Sequence, residues 1–303
     1  MQPADDTAPM QDSAESEGGI RPPPRIRDRV RVIYRHRLPV RVMHWINAIC
    51  LLVLLGSGLQ IFNAHPALYW GQKSTFDKPL LAMGAQRMPD GALRGVTQIG
   101  SHDFTTTGVF GASSMNGHPV ARGFPAWLTI PGPQWLSMGR RWHFFFAWLF
   151  VINGICFAAY TLIGRHFRRD LLPTRTDWRG IGRSIIDHAL LRHPQGEAAA
   201  RYNVLQKLTY LIVIFGFGPL IVLMGLAMSP RMDSVLGWLV TLVGGRQSAR
   251  TIHFILAWGF VAFFLIHIFE VLVSGLGNEL RSIITGRYAI HENIPDRSSD
   301  DGH

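Results

Sequence analysis

Residues 250–275 read "RTIHFILAWGFVAFFLIHIFEVLVSG". A run this apolar is long enough for a helix to cross the roughly 30 Å hydrocarbon core of a bilayer. It nevertheless keeps two histidines, His253 and His267, fourteen residues apart. On a helix, fourteen residues rise about 21 Å and fall about 40° short of four full turns. Both imidazoles therefore share one helix face, at two depths.

Three similar runs precede it: 42–62 "VMHWINAICLLVLLGSGLQIF", 142–163 "WHFFFAWLFVINGICFAAYTLI" and 208–228 "LTYLIVIFGFGPLIVLMGLAM". With 251–276 they make four predicted spans, and Glu270 is the one Asp, Glu, Lys or Arg inside any of them. Such apolarity predicts helices, because lipid offers no partner to open backbone groups. The expected fold is an all-α membrane protein, a four-transmembrane-helix bundle over residues 37–285. Residues 1–36 and 286–303 read as N- and C-terminal tails, polar and disordered up to about residue 25 and after about 291. The shorter "SVLGWLVTLVGG" (234–245) is too short to span and is expected at the membrane interface.

The net charge of +10 is carried mainly by arginine. A nucleic-acid binder gathers such charge on a folded basic face. Here it lies between apolar runs, which excludes nucleic acid and makes lipid the first partner. Eight arginines fall in 21–41, and nine basic residues, including Arg165, Arg168 and Arg169, fall between the second and third spans. Both regions lie on one side of a four-span chain, and the positive-inside rule makes that side cytoplasmic. The expected location is the bacterial inner membrane, multi-pass, with both termini cytoplasmic and 64–141 periplasmic. The first span is too long for a signal peptide and lacks a small-residue cleavage pattern. The segment 64–141, rich in Gly, Pro and aromatic residues, is too long for an idle loop; it is expected to cap the outer face and to offer a docking surface. Cys50 and Cys156 form neither a disulfide framework nor a paired metal site and read as small buried apolar residues.

Of thirteen histidines, nine lie in tails or links and read as solvated. His44, His143, His253 and His267 lie inside spans, where ionisable groups are rare and face a partner in the bundle. Chain direction pairs them by depth: His143 with His253 near the outer side, His44 with His267 near the inner. The inner pair matches less well, since His44 stands close to its span's predicted start while about ten apolar residues follow His267. Two facing imidazoles on separate helices suit axial ligation of haem iron. Two haem b groups, one per leaflet, would carry electrons across the bilayer, and six-coordinate iron favours electron transfer over catalysis.

Gly58 lies fourteen residues after His44 and Gly154 eleven after His143, each on the face of its histidine. They leave room for a macrocycle or permit close helix packing. Arg140, Arg141 and Arg250 flank the outer pair and Arg41 the inner; arginine there binds haem propionates or snorkels to the interface. Glu270, one turn past His267, either carries protons for a quinone or ends the span at the surface.

The pieces "RVMHWINA" (41–48), "GRRWHFFFAWLFVING" (139–154) and "RTIHFILAW…LIH" (250–267) together resemble the bacterial cytochrome b561 superfamily. That group includes the di-haem b subunits of nickel–iron hydrogenases and respiratory formate dehydrogenases and the thiosulfate-reductase cytochrome b type. The resemblance covers about residues 37–285. It implies the same pairing, His44 with His267 and His143 with His253, and electron exchange between a partner redox subunit and the quinone pool. "HPALYWG" (65–71) and "FPAWLTIPGP" (124–133) look like the thiosulfate-reductase type, which implies a periplasmic, molybdopterin-dependent partner. The chain would then be an electron-transfer subunit rather than the substrate-converting one. Two other readings are a stand-alone quinone-reducing cytochrome fed by a small reductant such as superoxide, and a proton or metal transporter using the histidines.

Overall fold

The computed structural model describes residues 26–163, 172–190 and 204–295. Strand β1 (Ile26–Tyr34) leads into helix α1 (Leu38–Phe62). The long connection that follows carries strands β2 (Ala67–Leu68), β3 (Leu81–Arg87), β4 (Leu93–Ile99), β5 (His102–Thr105), β6 (Ala112–Met115) and β7 (His118–Ala121). Helix α2 (Leu136–Ile163) comes next, then short helices α3 (Arg175–Arg179) and α4 (Ile181–Ala189). The third long helix joins α5 (Val204–Leu211), a π-helical stretch Ile212–Phe217 and α6 (Gly218–Ala227). Helices α7 (Asp233–Leu242), α8 (Arg246–Val273) and α9 (Leu276–Thr285) and strand β8 (Arg287–Pro295) complete the chain. Helices α1, α2, α5–α6 and α8 are each long and apolar enough to cross a membrane.

The four helices sit where apolarity predicts, but their ends differ. Each begins four to six residues before its apolar run, because arginine, glutamine and serine continue a helix beyond the lipid; hydropathy marks the hydrocarbon, not the hydrogen-bonded cylinder. Helix α8 stops at Val273 rather than 276, because Gly275 turns the chain at φ 103°, where a side chain would be strained. The pieces pack as α1 along α2 and α6 along α8.

The all-α expectation describes the membrane part alone. The connection 64–135 carries two β-sheets: β2–β3–β4–β5 form an antiparallel meander and β6–β7 a hairpin. The hairpin turns on Asn116 (φ 52°) and Gly117 (φ 81°), the two positive angles that a tight two-residue turn demands. Segment 26–34, part of the expected tail, is also a strand. Val30, Val32 and Tyr34 alternate with Arg29, Arg31 and Ile33, the period of two that strands use, and β1 pairs with β8. The described residues fall into two units, 26–31 with 291–295, and 32–290. The tails 1–25 and 296–303, and Arg165, Arg168 and Arg169, lie outside the described residues.

Within residues 32–290 the β-rich connection is fastened to the helices. Asn63, just past α1, clasps Phe124: its amide donates to the Phe124 carbonyl (3.0 Å) and its carbonyl oxygen accepts the Phe124 N–H (2.6 Å). Phe124 is fully buried and meets Phe62, Phe110, Phe254 and Trp258. Burying one such ring contributes about 1.5–3 kcal/mol. A second attachment joins residues 69–71 to the start of α8. Thr251 donates to the Tyr69 carbonyl (2.7 Å), and Ser248 Oγ accepts the Gly71 N–H (2.8 Å). The segment thus caps one end of the bundle, over His143 and His253.

Helix α7, the segment expected at the interface, exposes Val235, Trp238 and Leu242, while Leu239 and Val240 enter a core with Met224, Ala249 and Leu256. Helix α9 exposes Leu276, Leu280 and Ile284 along one stripe. Short helices with one apolar stripe suit a membrane surface. On the link, Asp177 closes a capping box with Thr174 and accepts a 2.8 Å bond from Lys207 of α5.

Candidate functional site

The four histidines of the spans meet as two pairs. The rings of His143 (α2) and His253 (α8) have centroids 6.3 Å apart with planes at 61°. Those of His44 (α1) and His267 (α8) repeat both values, 6.3 Å and 61°. The depth mismatch of the inner pair disappears with the true helix ends. His44 is six residues from the start of α1 and His267 six from the end of α8; His143 and His253 are each seven from the start of theirs.

The spacing has a direct chemical meaning. A metal–imidazole bond is about 2.0 Å, and a five-membered ring with bonds of about 1.33 Å places its nitrogen about 1.1 Å from its centroid. Two imidazoles on opposite sides of one metal ion therefore have centroids about 6.2 Å apart, the separation found twice here. Among the described residues no group of three or more His, Cys, Asp or Glu converges to hold an ion. A protein that binds a bare ion commonly supplies four ligands. Two opposed histidines fit instead a metal whose remaining positions belong to a flat macrocycle such as haem.

The outer pair is oriented by neighbours. His143 Nδ1 lies 3.1 Å from Ser57 Oγ, and that hydroxyl donates to the Val53 carbonyl (2.6 Å). With its proton committed to Val53, Ser57 accepts from Nδ1–H. His253 Nδ1 donates to the Ile221 carbonyl of α6 (2.9 Å). With Nδ1–H bonded in this way, both rings leave the Nε2 lone pair free, as histidines do at metal sites. The inner rings rest on aromatics: His267 stacks on Phe263 (5.9 Å, 14°), and Trp45 meets His44 edge-on (5.5 Å, 88°). His44 Nδ1 is buried without a hydrogen-bond partner. Asn153 of α2 secures the backbone around His44, donating to the Met43 carbonyl (2.9 Å) and Asn47 Oδ1 (2.7 Å).

The glycines differ in role. A Cβ on Gly58 would stand 3.3 Å from His143 Cε1, so this glycine seats the imidazole itself. Gly225 on α6 does the same for His253, at 3.4 Å. A Cβ on Gly154 would meet nothing within 4 Å, leaving open room beside α2. Sequence reading missed Gly225, Ser57 and Ile221. Ser57 was findable as a small polar residue beside Gly58; the other two act from a helix that carries no span histidine.

Arg250 donates to the His65 carbonyl (2.6 Å) and lies over the Phe62 ring (5.5 Å), so it helps hold the cap. Burial, and then the Arg250 charge, hold the His65 imidazole below its ordinary pKa. Arg140 is exposed, 5.8 Å over Phe144, and Arg141 is exposed beside it. Arg41 donates to the Ile284 carbonyl, tying α1 to α9, while its Nε is buried and unpartnered. Glu270 is half-buried on α8, three residues past His267. Cys50 is buried as expected, but Cys156 is exposed, because it lies on the face of α2 turned away from the bundle.

Residues 35–286 match the family model described as prokaryotic cytochrome b561. The chain is 30% identical to the putative protein-methionine-sulfoxide reductase subunit YedZ1 of Azospira oryzae, over 54% of this chain and 77% of that one. It is 20% identical to a probable Ni/Fe-hydrogenase B-type cytochrome subunit of Cupriavidus necator, over 85% of this chain and 87% of that one. No solved structure matches.

Proposed function

Because this chain belongs to the prokaryotic cytochrome b561 family, whose members bind b-type haem in the membrane, we propose that it holds two b haems and passes electrons across the bilayer. The observation that carries the number two is the repeated 6.3 Å, 61° relation of His143 to His253 and of His44 to His267. A haem held by each pair, His143 with His253 and His44 with His267, would supply a one-electron iron couple. The chain does the rest. Ser57 and the Ile221 carbonyl hold the outer imidazoles in their metal-binding tautomer. Gly58 and Gly225 seat those rings, Asn153 fixes the helix around His44, and the aromatic cap keeps water from the outer pair. Helix α8 gives one ligand to each site, so its fourteen-residue step, about 21 Å, sets the distance between them.

The arginine bias supports an orientation with the termini cytoplasmic and the cap periplasmic. Both relatives are named as subunits of oxidoreductases, which supports service to a separate redox subunit rather than substrate conversion by this chain. We take that partner to be periplasmic, of the molybdopterin type, docking on the cap, with the quinone pool as the other electron carrier. Arg41 and Glu270 flank the inner pair, where a quinone would exchange protons. Arg140, Arg141 and Arg250 stand at the outer end within reach of anionic groups.

Reduced-minus-oxidised spectra of the purified chain, with haem extraction, test the reading. Two low-spin b haems per chain are expected. A folded chain that binds no haem would overturn it.

A further inference from the structure

Arg122 follows β7 in the cap and is 5% exposed. All its hydrogen bonds go to neutral acceptors: Nη1 to the Gly132 carbonyl (2.9 Å), Nη2 to Gln60 Oε1 (3.1 Å) and Thr129 Oγ1 (3.0 Å), with a long contact to Met115 Sδ (3.9 Å). Its Nε is buried without a partner. No carboxylate joins it among the described residues. A buried cation with no counter-ion is costly, and guanidinium does not shed its proton to escape the cost. The fold therefore maintains a fixed positive charge at this point.

The charge is linked to the outer histidines through Gln60. Gln60, which receives Arg122, is 1% exposed and lies one helical step beyond Ser57, the residue that holds His143. The Gln60 side chain fills the space where a Cβ on Gly139 would fall, at 2.8 Å, and Gly139 is one turn before His143. The guanidinium thus lies on the order of 10 Å from the His143 ring, by helix rise. At an effective dielectric of about 20, unit charges at that separation shift an equilibrium by on the order of tenfold. Arg140 and Arg141 are closer in sequence but exposed, and water and salt screen them.

We propose that Arg122 is a positioning residue of electrostatic kind, a buried cation that raises the reduction potential of the outer site formed by His143 and His253. One-electron reduction removes one positive charge from that site, so a fixed neighbouring cation favours the reduced state. The inner site, about 21 Å deeper along α8, feels it weakly. The two sites would thereby differ in potential, with the outer one the better acceptor than its imidazole ligands alone would make it. The inference rests on the di-haem reading above.

The test is an optical redox titration of the full-length, haem-loaded protein, with the outer signal identified as the one lost in His143→Ala. Arg122→Gln should lower the outer midpoint by about tenfold in the reduction equilibrium, which is about 59 mV for one electron, and leave the inner midpoint in place. Arg122→Lys should hold the outer midpoint near the native value. An unmoved outer midpoint in Arg122→Gln, equal falls at both sites, or a fall as large in Arg122→Lys would overturn the inference. Should Arg122→Gln fail to fold, Gln60→Glu sets a carboxylate against the guanidinium. It should produce the same fall, and an unmoved midpoint there counts against the inference equally. Absence of haem from the native chain would sink the di-haem reading itself, a result distinct from all of these.

Discussion

Ser57 Oγ lies 3.1 Å from Nδ1 of His143 and donates its own proton to the Val53 carbonyl at 2.6 Å. A hydroxyl on one span thus turns the imidazole of the next. Ser57→Ala removes this acceptor from Nδ1–H in an apolar interior, at a cost of about 1–3 kcal/mol. Loss of such an orienting partner weakens metal sites by roughly 10–100-fold. Haem titration of the reconstituted variant should show weaker filling of the outer site and unchanged filling of the inner one. Equal filling of both would mean that the hydroxyl does not orient the ring.

The pairing predicts which signals disappear together. His267→Ala should abolish the inner low-spin signal and spare the outer; His143→Ala should do the reverse. His253→Ala should resemble His143→Ala. Redox titration of the b-type absorption separates the two signals. Loss of only the outer signal in His267→Ala would break the assignment.

Gly58 and Gly225 set a size limit on the outer site. A Cβ would stand 3.3 Å and 3.4 Å from Cε1 of His143 and His253, so alanine demands a shift of only tenths of an ångström. Leucine cannot be accommodated without displacing the ring. Gly58→Ala should retain two haems, with Gly58→Leu reduced to one. Haem counting by extraction checks the pair, and two haems in Gly58→Leu would refute the close seating of His143.

Much of this was legible in the sequence because two strong physical signals coincide. Lipid forbids open backbone, so the spans announce themselves as apolar runs, and four histidines inside them stand out by cost. Helix ends were less legible, since Pro39 and Arg41 at the start of α1 and the polar Arg246–Arg250 of α8 are helical but lie outside the unbroken apolar runs. The early start of α1 at Leu38 and the stop of α8 at Val273 together remove the apparent depth difference between His44 and His267. The β-rich cap was hidden by short strands broken by glycine and proline, although Asn116–Gly117 is a readable hairpin turn. The alternation in 26–34 was masked by its arginines, which draw attention as charge rather than as every second residue of a strand. Gly225 and Ile221 act across a helix–helix contact, and no pattern within their own helix points to His253.

The Asp177–Lys207 pair adds a pH dependence on the link. The hydrogen bond from Lys207, and then the Thr174 N–H, hold the Asp177 carboxyl below its ordinary value of 3.8. A depressed carboxyl contributes stability that is fully present above its unfolded pKa and is lost as pH falls through the folded one. Docking of α3 on α5 should therefore be constant from neutral pH down to about 5 and weaken below about 4. Asp177→Asn should weaken the docking at neutral pH and remove the acid transition. Hydrogen exchange across 175–189 reads both, and an acid transition surviving in Asp177→Asn would assign it to another group.

Asn63 fastens the cap by a two-bond clasp on the Phe124 backbone, at 3.0 Å and 2.6 Å, with both residues buried. An asparagine side chain here replaces the peptide partner that a strand would provide. Asn63→Ala leaves an N–H and a carbonyl unsatisfied beside the Phe62–Phe254 stack, and each unsatisfied group costs about 1–3 kcal/mol. The spans themselves keep their packing, since neither partner belongs to a histidine pair. Limited proteolysis should therefore cut Asn63→Ala within 64–135 faster than the native chain, while the spectrum of the inner site stays unchanged. The outer site is the sensitive reporter: once the cap lifts, water reaches His143 and His253, and the outer signal alone should broaden. A protease-resistant cap in Asn63→Ala would transfer the fastening role to the Ser248–Gly71 and Thr251–Tyr69 bonds at the start of α8.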